Sequence, residues 1–384
     1  MTSQRSVGTG PSEVRRLPEN HRAPAGSQAY VRTFSRRSLL RGAALVAGAA
    51  AVSPVLACTS SAPAGPTPPG EFKRYDLSSV SDAFSATVSN GEVAALSLNA
   101  VKGGAVIYRR AFGALAVGQP TPLGGATAMP SAMVILALAD SGKLRLDDPV
   151  SKYIHAFTGE ITVRQLLNHT SGLPADAPIL KDNSSTLEKA ADAIAALPPA
   201  AKPGEAFLYS AAGYQVAGRV AEVAGDNRWA HLFDDYLGGT VGLTDFTYGN
   251  TRNPRLLDGG TASPDDYARI LDVQLHDGLF STHRVLSPAS ITLMQSDQVT
   301  GISVMAASPT GTHGQSIGWG IESVDADGKP QLLSAGGGAA AYAWTDLKSE
   351  YAGCLVAVGS FEATHSIATR IQPLISAALS RPAG

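Results

Sequence analysis

Apolar positions follow strand-like spacing at both ends of the chain and helical spacing through its middle. Near the start, residues 93–99 and 105–112 form two short apolar runs on either side of Lys102-Gly103-Gly104, which predicts a β-hairpin. Toward the end, residues 317–324, 331–334, 341–345 and 353–360 read as strands separated by Gly and Asp turns. Helices are expected at 76–89 and 363–379, outside these strands. In the middle, Thr162 with Gln165 and Ser185 with Glu188 fit capping boxes, and Gly142, Gly172 and Gly225 sit where helices end on glycine. Chain ends that both supply strands around a helical middle predict an α+β fold. Its antiparallel sheet is built from both ends and flanked by the terminal helices, with a mainly helical subdomain inserted over about 125–275.

Residues 1–57 read as a targeting segment and stand outside that fold. An Arg-rich start leads to Ser35-Arg36-Arg37-Ser38-Leu39-Leu40 and then to an apolar Ala/Gly/Val stretch, the order of a twin-arginine export signal. The apolar stretch, 42–57, is shorter than the roughly 20 residues a membrane-spanning helix needs. It ends in Val55-Leu56-Ala57-Cys58, which resembles a lipoprotein processing box and makes Cys58 the expected lipidation site. Residues 58–74, rich in Ser, Pro, Ala and Gly, are expected to be a tether, leaving 75–384 as the folded domain. These features predict an exported protein held by lipid on the outer face of the cell membrane.

Composition then narrows the function. The first 57 residues hold eight arginines and two glutamates, so a chain of net charge −2 becomes a mature domain of about −8. An acidic domain without a basic stripe argues against nucleic acid as a partner. Cys354, alone in an apolar run, is expected to be a buried small hydrophobe. The histidines and cysteines show no metal-ligand spacing, and no glycine-rich phosphate loop opens a helix after a strand, so neither metal nor cofactor is expected.

The segment Ile161-Thr162-Val163-Arg164-Gln165-Leu166-Leu167-Asn168-His169-Thr170-Ser171-Gly172-Leu173-Pro174 identifies the family. With Gly142-Lys143-Leu144-Arg145-Leu146-Asp147-Asp148-Pro149-Val150 upstream, it resembles the signature runs of the β-lactamase-related serine hydrolases: class C β-lactamases, penicillin-binding proteins and related esterases. The resemblance covers roughly residues 96–360 and implies the β-lactamase/transpeptidase-like fold. It also implies three catalytic stations, since acyl transfer through serine needs a nucleophile, a base and oxyanion donors.

All three are altered. The family's S-x-x-K begins about seventeen residues before Gly142, where this chain reads Gly125-Ala126-Thr127-Ala128, with Gly125 in the nucleophile's place and Ala128 in the base's. No lysine in the chain follows a serine by three residues; Lys189 and Lys348 follow Thr186 and Thr345, which lie elsewhere in the fold. Pro130 suits a first helical turn, so the helix itself is expected to persist. At the family's Y-x-N, Tyr209 remains while Ala211 replaces the amide. At the K-T-G or H-x-G run, the matching Ser334-Ala335-Gly336-Gly337-Gly338 keeps glycines and puts Ala335 where the cation would be. The stretch 113–124 is about ten residues shorter than the family's.

The expectation is a pseudoenzyme whose residual cleft, lined by Tyr209, Ser210, Tyr214, Ser334, Gly336 and Gly337, binds a peptidoglycan-type peptide, or whose surface serves an envelope partner. The alternative is an active esterase, D-Ala peptidase or β-lactamase with a displaced nucleophile, for which Thr127, Ser131 and Ser210 are candidates. His169 is expected to hold the loop after its helix, and His313 has a weak claim to the cleft.

Overall fold

A computed structural model describes residues 75–381. Arg36, Arg37, Cys58 and the tether up to residue 74 therefore lie outside the described residues. Strands β1 (Ala95–Lys102), β2 (Ala105–Gly113), β3 (Gly314–Gln315), β4 (Gly320–Val324), β5 (Pro330–Gly336), β6 (Ala341–Asp346) and β7 (Tyr351–Val358) form one sheet in the order β2-β1-β7-β6-β5-β4-β3. Every pairing in it is antiparallel. The first hairpin joins the later strands where β1 runs against β7, from Ala95 opposite Val358 to Val101 opposite Ala352.

Around the sheet lie α1 (Ser78–Ser89), α2 (Ala128–Asp140), α3 (Val163–Leu167), α4 (Leu187–Ala195), α5 (Ala211–Gly225), α6 (Trp229–Phe233), α7 (Pro264–Leu275), α8 (Pro288–Met294) and α9 (Phe361–Leu379). Strand alternation sorts the central side chains by size. Leu96, Leu98, Tyr342, Trp344, Tyr351 and Leu355 face α1 and α9 and pack on Val80, Phe84, Ile367 and Ile371. The opposite face carries Ala95, Ala343, Ala352, Cys354 and Val356, small enough for α7 to lie close across β1 and β7. Period 2 and burial on both faces together explain why these strands read as nearly unbroken apolar runs. Asp265, at the start of α7, accepts hydrogen bonds from Asn99 (2.7 Å) and from Arg109 Nε (2.8 Å), tying that helix to the first hairpin.

Three helix-end readings differ in detail. The Thr162–Gln165 capping box forms with both hydrogen bonds, but α4 is capped by Thr186, whose hydroxyl accepts from Lys189 N–H, and not by Ser185. Ser185 is buried beside the start of α4. Gly142 takes the left-handed position after α2, and the amides of Gly142 and Lys143 donate to the carbonyls of Ala139 and Leu138. Gly225 is the last residue of α5, and Asp226 (φ 53°) takes the left-handed turn after it. After α3 that turn falls to His169 (φ 62°), three residues before Gly172. Asp and Asn-like side chains reach this region most readily among non-glycine residues, and His follows when packing fixes it.

Candidate functional site

Helix α2 is buried along nearly its whole length, from Ala128 to Leu138, so it is an inner helix whose start is held in place by the core. It is entered through a 3-10 turn, Gly124–Thr127, and runs without interruption to Gly142. Gly125 and Ala128 thus stand one turn apart at its beginning. Both face the end of β5: Gly125, Ala128, Tyr209, Ser334, Ala335 and Gly336 line one cavity. The three stations recognised in the sequence are brought together, and they enclose only about 10 Å³, room for about one water molecule.

Backbone contacts explain the small volume. Gly125 N–H donates to the carbonyl of Gly337 across 2.6 Å. A Cβ on Gly125 would lie 2.2 Å from the Gly336 carbonyl oxygen, and one on Gly124 would lie 2.1 Å from that of Gly337. Gly337 adopts φ 112° and sits with its Cα against Pro309, 2.4 Å from where a Cβ would reach the proline Cγ. Glycines on both sides let the strand end close onto the helix start. The Gly125 amide, at the position expected for the nucleophile, is consequently engaged by a protein carbonyl rather than aimed at an open oxyanion site.

No Asp, Glu, Lys or Arg lines the cavity. Tyr209 is partly buried, and burial, followed by the charge of Asp258, pushes its phenol well above the ordinary tyrosine value, so it is a neutral group. His169 is 1% exposed and accepts a hydrogen bond at Nδ1 from Ser210 N–H (3.1 Å), which places its proton on Nε2. Burial pushes its imidazole down to about 3. Its ring stacks on Tyr214 (5.1 Å between centroids) and tilts against Tyr209 (4.6 Å), while Nε2 finds no hydrogen-bond partner. His169 therefore holds its loop, as expected, and also lines the cavity. Ser308, Thr310 and Gln315 line it too, from a segment that carries no motif and is brought in by the sheet edge.

Other expected cleft residues are placed differently. Tyr214 is fully buried in the core, its hydroxyl donating to the Leu167 carbonyl (3.3 Å), because it lies a turn into α5 on the inward face. Ser210 caps α5: its Oγ accepts from Gly213 N–H (3.0 Å) and donates to the Pro174 carbonyl (2.8 Å). Ala211 is the first residue of α5, outside the cavity lining, and its amide donates to Ala175. Ser334 does line the cavity, but its hydroxyl donates to Glu322 Oε1 (2.7 Å), a carboxylate also 3.7 Å from His365 Nε2. His313 lies on an exposed turn away from the cavity.

The displaced-nucleophile candidates are likewise occupied. Thr127 Oγ1 accepts from Gly260 N–H (3.0 Å), and Ser131 Oγ donates to the Leu256 carbonyl (2.6 Å) beside Tyr248 Oη (2.8 Å). Both are fully buried. Cys354 is buried in the core, and burial pushes its thiol far above the ordinary value. Among the described residues no group of three or more His, Cys, Asp or Glu side chains is arranged to hold a metal, and no helix is long and apolar enough to cross a membrane.

Comparison with known proteins matches this arrangement to a family. The β-lactamase family model aligns with residues 80–371. A Bacteroides dorei DSM 17855 protein, solved as a candidate β-lactamase, superposes with a TM-score of 0.69 at 27% identity, covering 77% of this chain and 98% of that one. Penicillin-binding protein 4 of Amycolatopsis lactamdurans is 29% identical over 121 residues, which are 29% of this chain and 32% of the relative. Protein flp of Staphylococcus aureus strain NCTC 8325 / PS 47 is 32% identical over 155 residues, 35% of this chain and 31% of the relative. The chain thus spans about a third of the length of the curated relatives it matches. It belongs to the β-lactamase family and carries that family's serine-hydrolase fold.

Proposed function

We propose that this protein is a catalytically silent member of its family, exported and lipid-anchored through Cys58, that uses the fold as a binding scaffold for an envelope partner. The observation that carries this reading is the Gly125 N–H to Gly337 carbonyl hydrogen bond, which fills the nucleophile's place with backbone. A serine hydrolase needs a hydroxyl, a base and free oxyanion donors around an acyl group. Here glycine and alanine stand at the positions expected for the serine and the lysine, the Gly125 amide is engaged, and about 10 Å³ admits no acyl group.

The same volume favours one of the two uses expected of a silent fold. A peptidoglycan-type peptide cannot enter this cavity, so an envelope protein bound on the outer surface is the better-supported partner. Export and anchoring rest on Arg36, Arg37 and Cys58 in the sequence.

The test is intact-mass spectrometry of the full chain after incubation with a fluorophosphonate and, separately, with a penicillin. The expected result is an unmodified mass from both. A single stoichiometric adduct would overturn the reading in favour of a displaced nucleophile, and peptide mapping would locate it. Loss of membrane retention in a Cys58→Ala variant tests the anchor separately.

A further inference from the structure

Away from the sealed catalytic position, the helical region holds a groove of about 1000 Å³. This is the upper end of the volume used by small-molecule sites, with room for more than one ring. Its walls are the turn before α4, the C-terminal end of α5, the start of α6 and the loop 246–254. The walls are tied to one another: Thr251 Oγ1 donates to the Asn183 carbonyl (3.0 Å), Leu187 N–H to the Arg252 carbonyl (3.0 Å), and Trp229 N–H to Glu222 Oε1 (3.1 Å). Such cross-ties make the groove a preformed shape.

The groove's charges fall into a paired and an unpaired set. Of its three arginines, Arg219 is neutralised by Glu188 (3.0 Å) and Glu222 (3.2 Å). Arg228 and Arg252 are exposed and form no ion pair among the described residues, and the remaining carboxylate in the lining is Asp226. The lining is balanced overall, three arginines against three carboxylates, and Arg228 and Arg252 are its guanidinium groups without a carboxylate partner among the described residues. Phe246 and Tyr248, both partly exposed, present aromatic surface in the same groove, backed by Phe233 stacked on Phe246 at 4.6 Å. Beneath them lies the buried Trp229, 2% exposed, its ring edge-on to Tyr248 at 5.9 Å.

Aromatic faces beside cationic forks and side-chain amides suit a ligand with ring faces, hydroxyl oxygens and a carboxylate. We propose that this groove is a binding site for an anionic saccharide, an oligosaccharide bearing a carboxylate that Arg228 and Arg252 engage while its rings lie over Phe246 and Tyr248. The site is independent of the degenerate catalytic position and stands whether or not that position is silent.

The experiment uses the full chain and two matched probes. One is the disaccharide of N-acetylglucosamine and N-acetylmuramic acid; the other is chitobiose, which lacks the lactyl carboxylate. Titration calorimetry is read together with tryptophan fluorescence, to which Trp229 contributes from the groove while Trp319 and Trp344 are fully buried elsewhere. The carboxylate-bearing disaccharide is expected to bind at least about tenfold tighter than chitobiose, the effect of one charge-assisted contact. The Arg228→Ala/Arg252→Ala variant should erase that difference, and each single variant should reduce it. Both side chains are exposed, so the fold is expected to survive, as circular dichroism would verify. No binding of either sugar at millimolar concentration, equal binding of the two, or a preference that persists in the double variant would each overturn the proposal.

Discussion

The amide of Gly125 and the carbonyl of Gly337 are hydrogen-bonded at 2.6 Å, joining the turn that enters α2 to the segment that leaves β5. A side chain at position 125 must displace that contact, because its Cβ would fall 2.2 Å from the Gly336 oxygen. Gly125→Ser is therefore expected to lower stability by about 1–3 kcal/mol through overpacking, visible as a drop in Tm. The Gly125→Ser/Ala128→Lys variant should remain unlabelled by fluorophosphonate despite regaining both groups. Stoichiometric labelling of that variant would mean that the strand end moves aside easily.

Gly337 is the other half of the seal. Its φ of 112° and its contact with Pro309 leave no space for a Cβ. Gly337→Ala should destabilise the protein by about 1–3 kcal/mol, combining a backbone conformation unfavourable to L-residues with steric overlap. The Gly125 amide should also lose protection in hydrogen exchange. Unchanged protection would show that the contact does not depend on the glycine.

His169 predicts an acid-sensitive fold. Its imidazole is held neutral down to about 3, against about 6.5 when unfolded, so the unfolded chain binds the extra proton first as pH falls. The stability it contributes is complete above pH ~6.5 and declines below it, by about 1.4 kcal/mol per pH unit until pH approaches 3. His169→Asn keeps a side chain that tolerates φ near 60°. Urea midpoints at neutral and acid pH should give a shallower pH slope for the variant, and equal slopes would exclude His169 as the source.

Ser131 and Ser210 are predicted to matter for stability and not for covalent chemistry. Ser131→Ala removes a buried donor to Leu256 and a partner of Tyr248, and Ser210→Ala removes the cap of α5. Each should cost about 1–2 kcal/mol in denaturant titrations. If either protein forms an adduct that its alanine variant loses, that serine is a nucleophile after all.

Most of the scaffold could be read from local pattern. The strand runs, the terminal helices, the Thr162 cap and Gly142 were legible because each depends on neighbours a few residues away. The expected stations could be placed by counting, because the 3-10 turn Gly124–Thr127 leads directly into α2, Ala128–Asp140, with no insertion before Gly142. The seal could not. It depends on a distance between Gly125 and Gly337, far apart in sequence, and glycines at both places signal close approach without naming the partner. Tyr214 and Ser210 were misread for a local reason: α5 begins between Tyr209 and Ala211, which makes Ser210 a cap and turns Tyr214 into the core.

The pairing of β1 with β7 has a consequence for how the chain reaches this state. Ala95 must wait for Val358 before the first hairpin can join the other strands, so the contacts that complete the sheet span most of the domain. Such long-range closure slows folding and exposes strand edges meanwhile. The early hairpin emerging from a ribosome has no sheet to join until the last strand is made. Folding must therefore follow synthesis of β7, and a stop codon before residue 351 should yield an aggregating product rather than a smaller stable domain.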